Sequence, residues 1–253
     1  MAVINHNAVA IHNLGFRYPG AASNCFSHLN LQVAVGERFG IFGPNGAGKT
    51  TLMNCMTGLL NFNEGSIELL GQPVTQNKKE VNKLFGFVPQ DFSFYHELSP
   101  VENLAFFGAW SGMRKPAIKL RTTELLEILD MVEVRNQPVQ KFSGGMKRKV
   151  NLAIGVIHQP KILFLDEPTV GVDVQTRNAI IHYLKQLNSS GTTLIYTSHQ
   201  LNEAEELCDK IALIDSGKII AHNSLDKLLL EHSEQGGLEG LFINLTGKKY
   251  KDL

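Results

Sequence analysis

Gly43-Pro44-Asn45-Gly46-Ala47-Gly48-Lys49-Thr50 fits the pattern GxxxxGK[ST], and its surroundings decide the fold. Before it runs the short apolar stretch Phe39–Phe42. After it comes Thr50–Leu60, in which Leu52, Met53, Met56 and Leu59 recur at helical spacing. Strand, glycine-rich loop and helix is the context this motif requires. The glycines let the backbone fold closely around phosphates with several N–H groups pointing inward, and the helix adds its positive dipole end. Lys49 is expected to neutralise the β- and γ-phosphates, Thr50 to ligate Mg²⁺, and Thr51 to bind an α-phosphate oxygen. A glycine-rich turn with no nucleotide is the alternative, and the Lys-Thr pair argues against it.

Working outward, Val9–Tyr18 and Leu29–Val35 partly alternate apolar and polar residues, with Tyr18-Pro19-Gly20 as a turn between them. They read as an antiparallel sheet at the start of the chain. Ile67–Leu70 and Phe85–Val88 read as further short strands. From Asp91 to Gln159 the periodicity is helical, with expected helices at Val101–Trp110, Ile118–Val132 and Gly144–Ile157. Strand signals return at Ile162–Leu165, Thr193–Thr197 and Ile211–Ile214, alternating with helical stretches Val174–Asn188 and Leu201–Leu207, as a parallel sheet requires. The expectation is one α/β domain over 1–253. Its core is 1–90 and 160–253, including the antiparallel β-subdomain, and its insertion is a helical subdomain at 91–159.

Lys161-Ile162-Leu163-Phe164-Leu165-Asp166-Glu167-Pro168 is an apolar strand ending in two carboxylates, the Walker B arrangement. A buried strand delivers charge at its C-terminal edge, where open α/β sheets bind ligands. Asp166 is expected to hold Mg²⁺, mainly through water, and Glu167 to orient or deprotonate the attacking water.

Composition narrows the partners. Hydrophobic residues are 43% and charged residues 19%, the balance of a folded globular chain. Lys plus Arg and Asp plus Glu both number 24, so no global positive field holds nucleic acid or anionic lipid. Cys25, Cys55 and Cys208 carry no CxxC or zinc spacing and read as buried thiols in a reducing compartment. No apolar run approaches the roughly 18 residues of a spanning helix. Met1–Ala10 lacks the charged and apolar regions of a secretory signal, which leaves a cytoplasmic expectation.

Phe142-Ser143-Gly144-Gly145-Met146-Lys147-Arg148-Lys149 resembles the signature sequence of the ATP-binding cassette (ABC) family. The family's other landmarks follow in order: Tyr18, Gln90 after a strand, Gly171-Val172-Asp173 after Walker B, and His199 ending a later strand. The resemblance covers nearly the whole chain. It implies an α/β fold with a P-loop NTPase (RecA-like) core, an N-terminal antiparallel β-subdomain and an inserted α-helical subdomain. ATP and Mg²⁺ are the implied cofactors. Tyr18 would stack on adenine and Gln90 would reach Mg²⁺ and the water. His199 would contact the γ-phosphate, and Glu167, His199 and Lys49 form the catalytic set. Ser143, Gly144 and Gly145 read as a helix cap with outward N–H groups, which in the family meet the γ-phosphate bound by a second subunit. Asp173 resembles the carboxylate that crosses the dimer interface and is also placed as an N-cap of Val174–Asn188.

Met146 stands where many signatures carry Gln, so a side-chain bond made there by other members is not carried over. Ser-Gly-Gly-Met-Lys-Arg, the Val170–Asp173 turn and the tail Leu238–Lys248 resemble the branch that energises multidrug, lipid or polysaccharide exporters. The implied partners are an integral membrane permease, gripped near Asp91–Trp110, and a second ATPase subunit in a homodimer. The chain would then sit at the cytoplasmic face of the membrane. Lys147-Arg148-Lys149 reads as a solvated helix face, and no nucleic-acid partner is expected. The short tail after Ile220 leaves no room for a large regulatory domain. Two alternatives remain open: an importer ATPase, and a non-transport cassette ATPase acting on DNA or ribosomes. Against the latter, 50–141 shows no heptads for a coiled coil, and the chain carries one cassette.

Overall fold

Alternation builds the first sheet. In the computed structural model, which describes residues 7–232 and 236–247, β2 (Phe26–Ala34) buries Phe26, Leu29, Leu31 and Val33 at every second or third position, while β1 (Asn7–Phe16), paired on both sides, buries the runs Ala8–Ile11 and Leu14–Phe16. Then follow β3 (Arg38–Phe42), α1 (Lys49–Met56), β4 (Glu64–Leu69), β5 (Gln72–Pro73), α2 (Lys78–Val81), β6 (Phe85–Val88), α3 (Pro100–Trp110), α4 (Lys115–Ile128), α5 (Gly144–Val156) and β7 (Ile162–Asp166). The chain continues through α6 (Val174–Ser189), β8 (Thr193–Ser198), α7 (Asn202–Leu207), β9 (Lys210–Asp215), β10 (Lys218–Ser224), α8 (Leu225–His232) and α9 (Gly237–Thr246).

Two compact units result. One holds the described residues up to Asn82 and from Thr193 onward; the other is Lys83–Thr192. The first unit contains an antiparallel sheet in the order β2-β1-β4-β5 and a run of strands in the order β10-β9-β3-β8. β3 lies parallel to both β8 and β9, with Phe42 opposite Ser198 and Leu213. Arg38 anchors the start of β3 to Asp209 at the start of β9.

The second unit pairs β6 with β7 in parallel, Val88 opposite Leu165, beneath α5. Every residue of β7 is buried, as expected for a strand covered on both faces. α3 begins with a capping box. The Ser99 hydroxyl accepts from the Glu102 N–H, and the Glu102 carboxylate accepts from the Ser99 N–H at 2.8 Å.

Three sequence expectations change. α1 stops at Met56, where Gly58 (φ 69°) turns the chain, so Leu59 leaves the apolar stripe and is exposed. α4 ends at Ile128 instead of reaching Val132, because Asp130 takes a left-handed φ of 53°. β10 runs antiparallel to β9, whereas the sequence reading has only parallel strands there. Lys248, the last residue of the exporter-like tail, lies outside the described residues, as do 1–6.

α5 reaches β6 through paired glycines. A Cβ on Gly86 would stand 2.0 Å from the Gly155 carbonyl oxygen, and one on Gly155 would stand 2.6 Å from Val88 Cγ2. Gly86→Ala must therefore push α5 off β6, and a loss of about 1–3 kcal/mol is expected, read from the urea unfolding midpoint.

Candidate nucleotide-binding site

The phosphate loop leaves β3 at Gly43 and enters α1 at Lys49. Its last residue, Gly48, has φ 107°, a backbone state that favours glycine, and a Cβ there would meet Phe26 of β2 at 2.9 Å. The Lys49 side chain is buried within the loop. Its Nζ donates to the carbonyls of Gly43 at 2.8 Å and Pro44 at 3.1 Å. Asn45, Gly46 and Thr50 are exposed and Ala47 is buried. A loop with no room for a Cβ at Gly43 or Gly48, with a fixed ammonium inside and an exposed threonine at the head of a helix, fits a triphosphate and its divalent cation.

The parallel register brings His199 to this loop. With Phe42 opposite Ser198, the Gly43 N–H donates to the Ser198 carbonyl at 3.4 Å, and His199, half-buried, is the next residue. Tyr18, 43% exposed, stands two residues beyond β1 with its ring edge-on to Phe16. Tyr18 Oη and Thr51 Oγ1 share a hydrogen bond of 2.8 Å. Thr51 is thus a buried support for Tyr18 in this structure. Cys25 departs from the expectation of buried thiols: it is half-buried beside Thr51, and burial raises its pKa. Cys55 is buried, with its thiol pushed up to about 12.

The second unit gathers the other motifs. Asp166 closes β7, and Glu167 follows with φ 48°, a left-handed backbone on a buried non-glycine residue, such as concentrates at functional sites. Because Val88 lies opposite Leu165, Pro89 and Gln90 leave the sheet on the same edge as these carboxylates. Gln90 is exposed.

Ser143 caps α5, its Oγ accepting the Met146 N–H at 3.3 Å. Gly144 is exposed and Gly145 buried. A Cβ on Gly145 would stand 2.8 Å from the Thr176 hydroxyl, so α5 and α6 meet at their first turns. Asp173 is the N-cap of α6. The Thr176 N–H donates to its Oδ1 at 2.9 Å and the Thr176 hydroxyl to its Oδ2 at 2.8 Å, which holds its carboxyl below the ordinary range.

One residue reverses its sequence reading. Arg148 is 4% exposed, not part of a solvated face, while Lys147 and Lys149 flank it half-buried. Three consecutive helical residues span about 200°, so they cannot share one solvated face. Arg148 also falls on the stripe of Gly145, Leu152 and Gly155, a signal present in the sequence. Thr176, Asn151 and Phe92 were likewise not singled out, since polar or aromatic residues at such positions carry no motif.

Fold and loop together define an α/β protein of the P-loop NTPase class. The chain belongs to the ABC transporter family, whose model matches residues 26–170. It is 41% identical over 193 residues to a linearmycin resistance ATP-binding protein of Bacillus subtilis (strain 168), covering 76% of this chain and 62% of that one. It is 39% identical over 201 residues to a Nod factor export ATP-binding protein of Cupriavidus pinatubonensis (strain JMP 134 / LMG 1197), covering 79% and 62%. The chain thus spans about 62% of the length of these two relatives. Among solved structures, a dimeric ATP-binding cassette in a post-hydrolysis state bound to ADP and phosphate superposes with TM-score 0.78 at 25% identity. That match covers 86% of this chain and 98% of the other.

The exposed Tyr18 ring is testable alone. Tyr18→Ala is expected to weaken adenine nucleotides about tenfold, the scale of one base–aromatic stack, while Tyr18→Phe stays within about twofold of wild type. Titration with a fluorescent ATP analogue reads both.

Proposed function

We propose that this chain binds MgATP and hydrolyses it as one of two identical subunits, and that the cycle drives export through a separate membrane permease. The observation that carries the reading is Lys49, held inside a glycine loop whose first N–H bonds the strand leading into His199.

In this reading Lys49 and the inward N–H groups neutralise the β- and γ-phosphates, and Tyr18 stacks on the base. Thr50 and Asp166, with Gln90, would hold Mg²⁺, which when bound supplies charge neutralisation on the phosphates. Glu167, buried one residue past β7, accepts a proton from the attacking water. His199 contacts the γ-phosphate and keeps the in-line geometry. Phosphoryl transfer demands little covalent help from the protein, so positioning and charge carry the rate.

The subdomain 91–159 presents Ser143–Gly145 to the nucleotide of the second copy, and Asp173 reaches across the same interface. The dimeric neighbour with ADP and phosphate supports this arrangement. The permease would grip α3 and the loop before it, where Tyr95, Phe106 and Trp110 form an exposed aromatic series. Among the described residues no helix is long and apolar enough to cross a membrane; in this reading the permease holds the chain at the cytoplasmic face. The export direction is supported by the Nod factor relative's name. The balanced formal charge offers no general attraction for nucleic acid.

Glu167→Gln is expected to lower ATP turnover roughly 100-fold or more, the scale of a lost general base, while the variant still binds ATP and accumulates as an ATP-dependent dimer. Phosphate release and light scattering measure the two. Wild-type turnover in Glu167→Gln, or ATP-independent mass, would overturn the assignment.

A further inference from the structure

Arg148 makes more polar contacts than its place in a run of surface cations implies. Its Nη1 donates to the carbonyls of Gln90 at 2.9 Å and Pro89 at 3.3 Å, and its Nη2 reaches the carbonyl of Val170 at 3.5 Å. Its guanidinium carbon lies 5.0 Å from the centroid of the Phe92 ring, within the range of a cation–π contact. One buried cation therefore holds the backbone on both sides of Gln90 and the turn three residues beyond Glu167, from a seat on the signature helix.

A second contact reinforces the first. Asn151, one turn along α5, donates to the Pro89 carbonyl at 3.0 Å and accepts from the Ser93 N–H at 3.3 Å. The segment 89–93 is thereby gripped by two side chains of the helix that Ser143 caps.

We infer that Arg148 is a positioning residue for hydrolysis, coupling the signature helix to the backbone of Gln90 and to the turn that carries Glu167. The inference rests on the reading of this chain as an ATPase in which Gln90 and Glu167 act on the water. A planar guanidinium can serve three carbonyls and stack on a ring at once; a lysine cannot, even with its charge intact. Burial depresses the pKa of Arg148, and the carboxylates of Asp91 and Glu167 oppose that shift, so its permanent charge acts on the proposed catalytic base as well as on the carbonyls. A displaced α5 would move Gln90 and Glu167 together, which ties signature engagement to the state of the water site.

The test uses the full chain, alone and as the variants Arg148→Lys, Arg148→Met, Gln90→Ala and Arg148→Met with Gln90→Ala. Steady-state phosphate release gives kcat and KM, and fluorescent-ATP titration gives Kd. For Arg148→Lys and Arg148→Met the expected result is kcat down roughly 10- to 100-fold, the cost of a small misplacement near the reaction, with Kd within about threefold of wild type. The double variant should be little slower than Gln90→Ala alone, because both changes disable one linkage. Kd rising in step with the fall in kcat, or effects that multiply in the double variant, would overturn the inference. So would wild-type kcat in Arg148→Lys. A wild-type chain without turnover would instead remove the ATPase reading itself.

Discussion

Parallel strand register is the constraint on which the rest depends. Pairing β3 with β8 so that Phe42 faces Ser198 fixes where the phosphate loop begins relative to His199. Pairing β6 with β7 so that Val88 faces Leu165 fixes where Gln90 begins relative to Asp166 and Glu167. A slip of one residue in either pair would turn every buried side chain of the strand to the opposite face. Both faces of β3 and β7 are buried, so that slip would exchange the unlike side chains packed on the two faces and is opposed by close packing on each. The apolar core thereby specifies polar geometry that lies outside it, at the carboxyl ends of the strands.

Beyond the sheet, polar contacts fix the helices, one through a buried cation and one through an exposed cap. Arg148 loses hydration on α5 and recovers it through carbonyl acceptors and an aromatic face. Asp173 and Thr176 close the first turn of α6 against Gly145. Such contacts add little net stability, since each exchanges water for protein partners. What they add is a single permitted arrangement of the signature helix, the Gln90 segment and the turn after Glu167.

The sequence made the phosphate loop, the carboxylates after β7 and the order of the remaining motifs legible because each is a contiguous run whose spacing carries chemistry. β1 and β2 were legible from partial alternation with a turn between them, and α5 and α6 from helical period together with the caps at Ser143 and Asp173. β10 was missed because Lys218–Ser224 is strand only through its partner β9; yet Ser216 and Gly217, both with positive φ (49° and 74°), form the hairpin turn that Asp215-Ser216-Gly217-Lys218 encodes. α8 and α9 are short and leucine-rich, and α9 starts after Gly236 with no side-chain cap, so period and boundary signals are weak there. Arg148 was misread for a different reason. Charge counts treat neighbouring cations alike, whereas a helix sends them in directions about 100° apart.

The loop's own carbonyls explain how a site for anions keeps its shape before one binds. Lys49 brings a buried positive charge that must be satisfied, and the Gly43 and Pro44 carbonyls take part of it. In the proposed reading a triphosphate would offer Lys49 charged oxygens in place of these neutral acceptors, and such bonds are roughly twice as strong. Gly48 holds its left-handed turn and Thr51 is tied to Tyr18, so both ends of the loop are fixed by the chain's own contacts. A loop fixed in this way presents Lys49 at one place, and fixed geometry lowers the ordering cost of any ligand it receives.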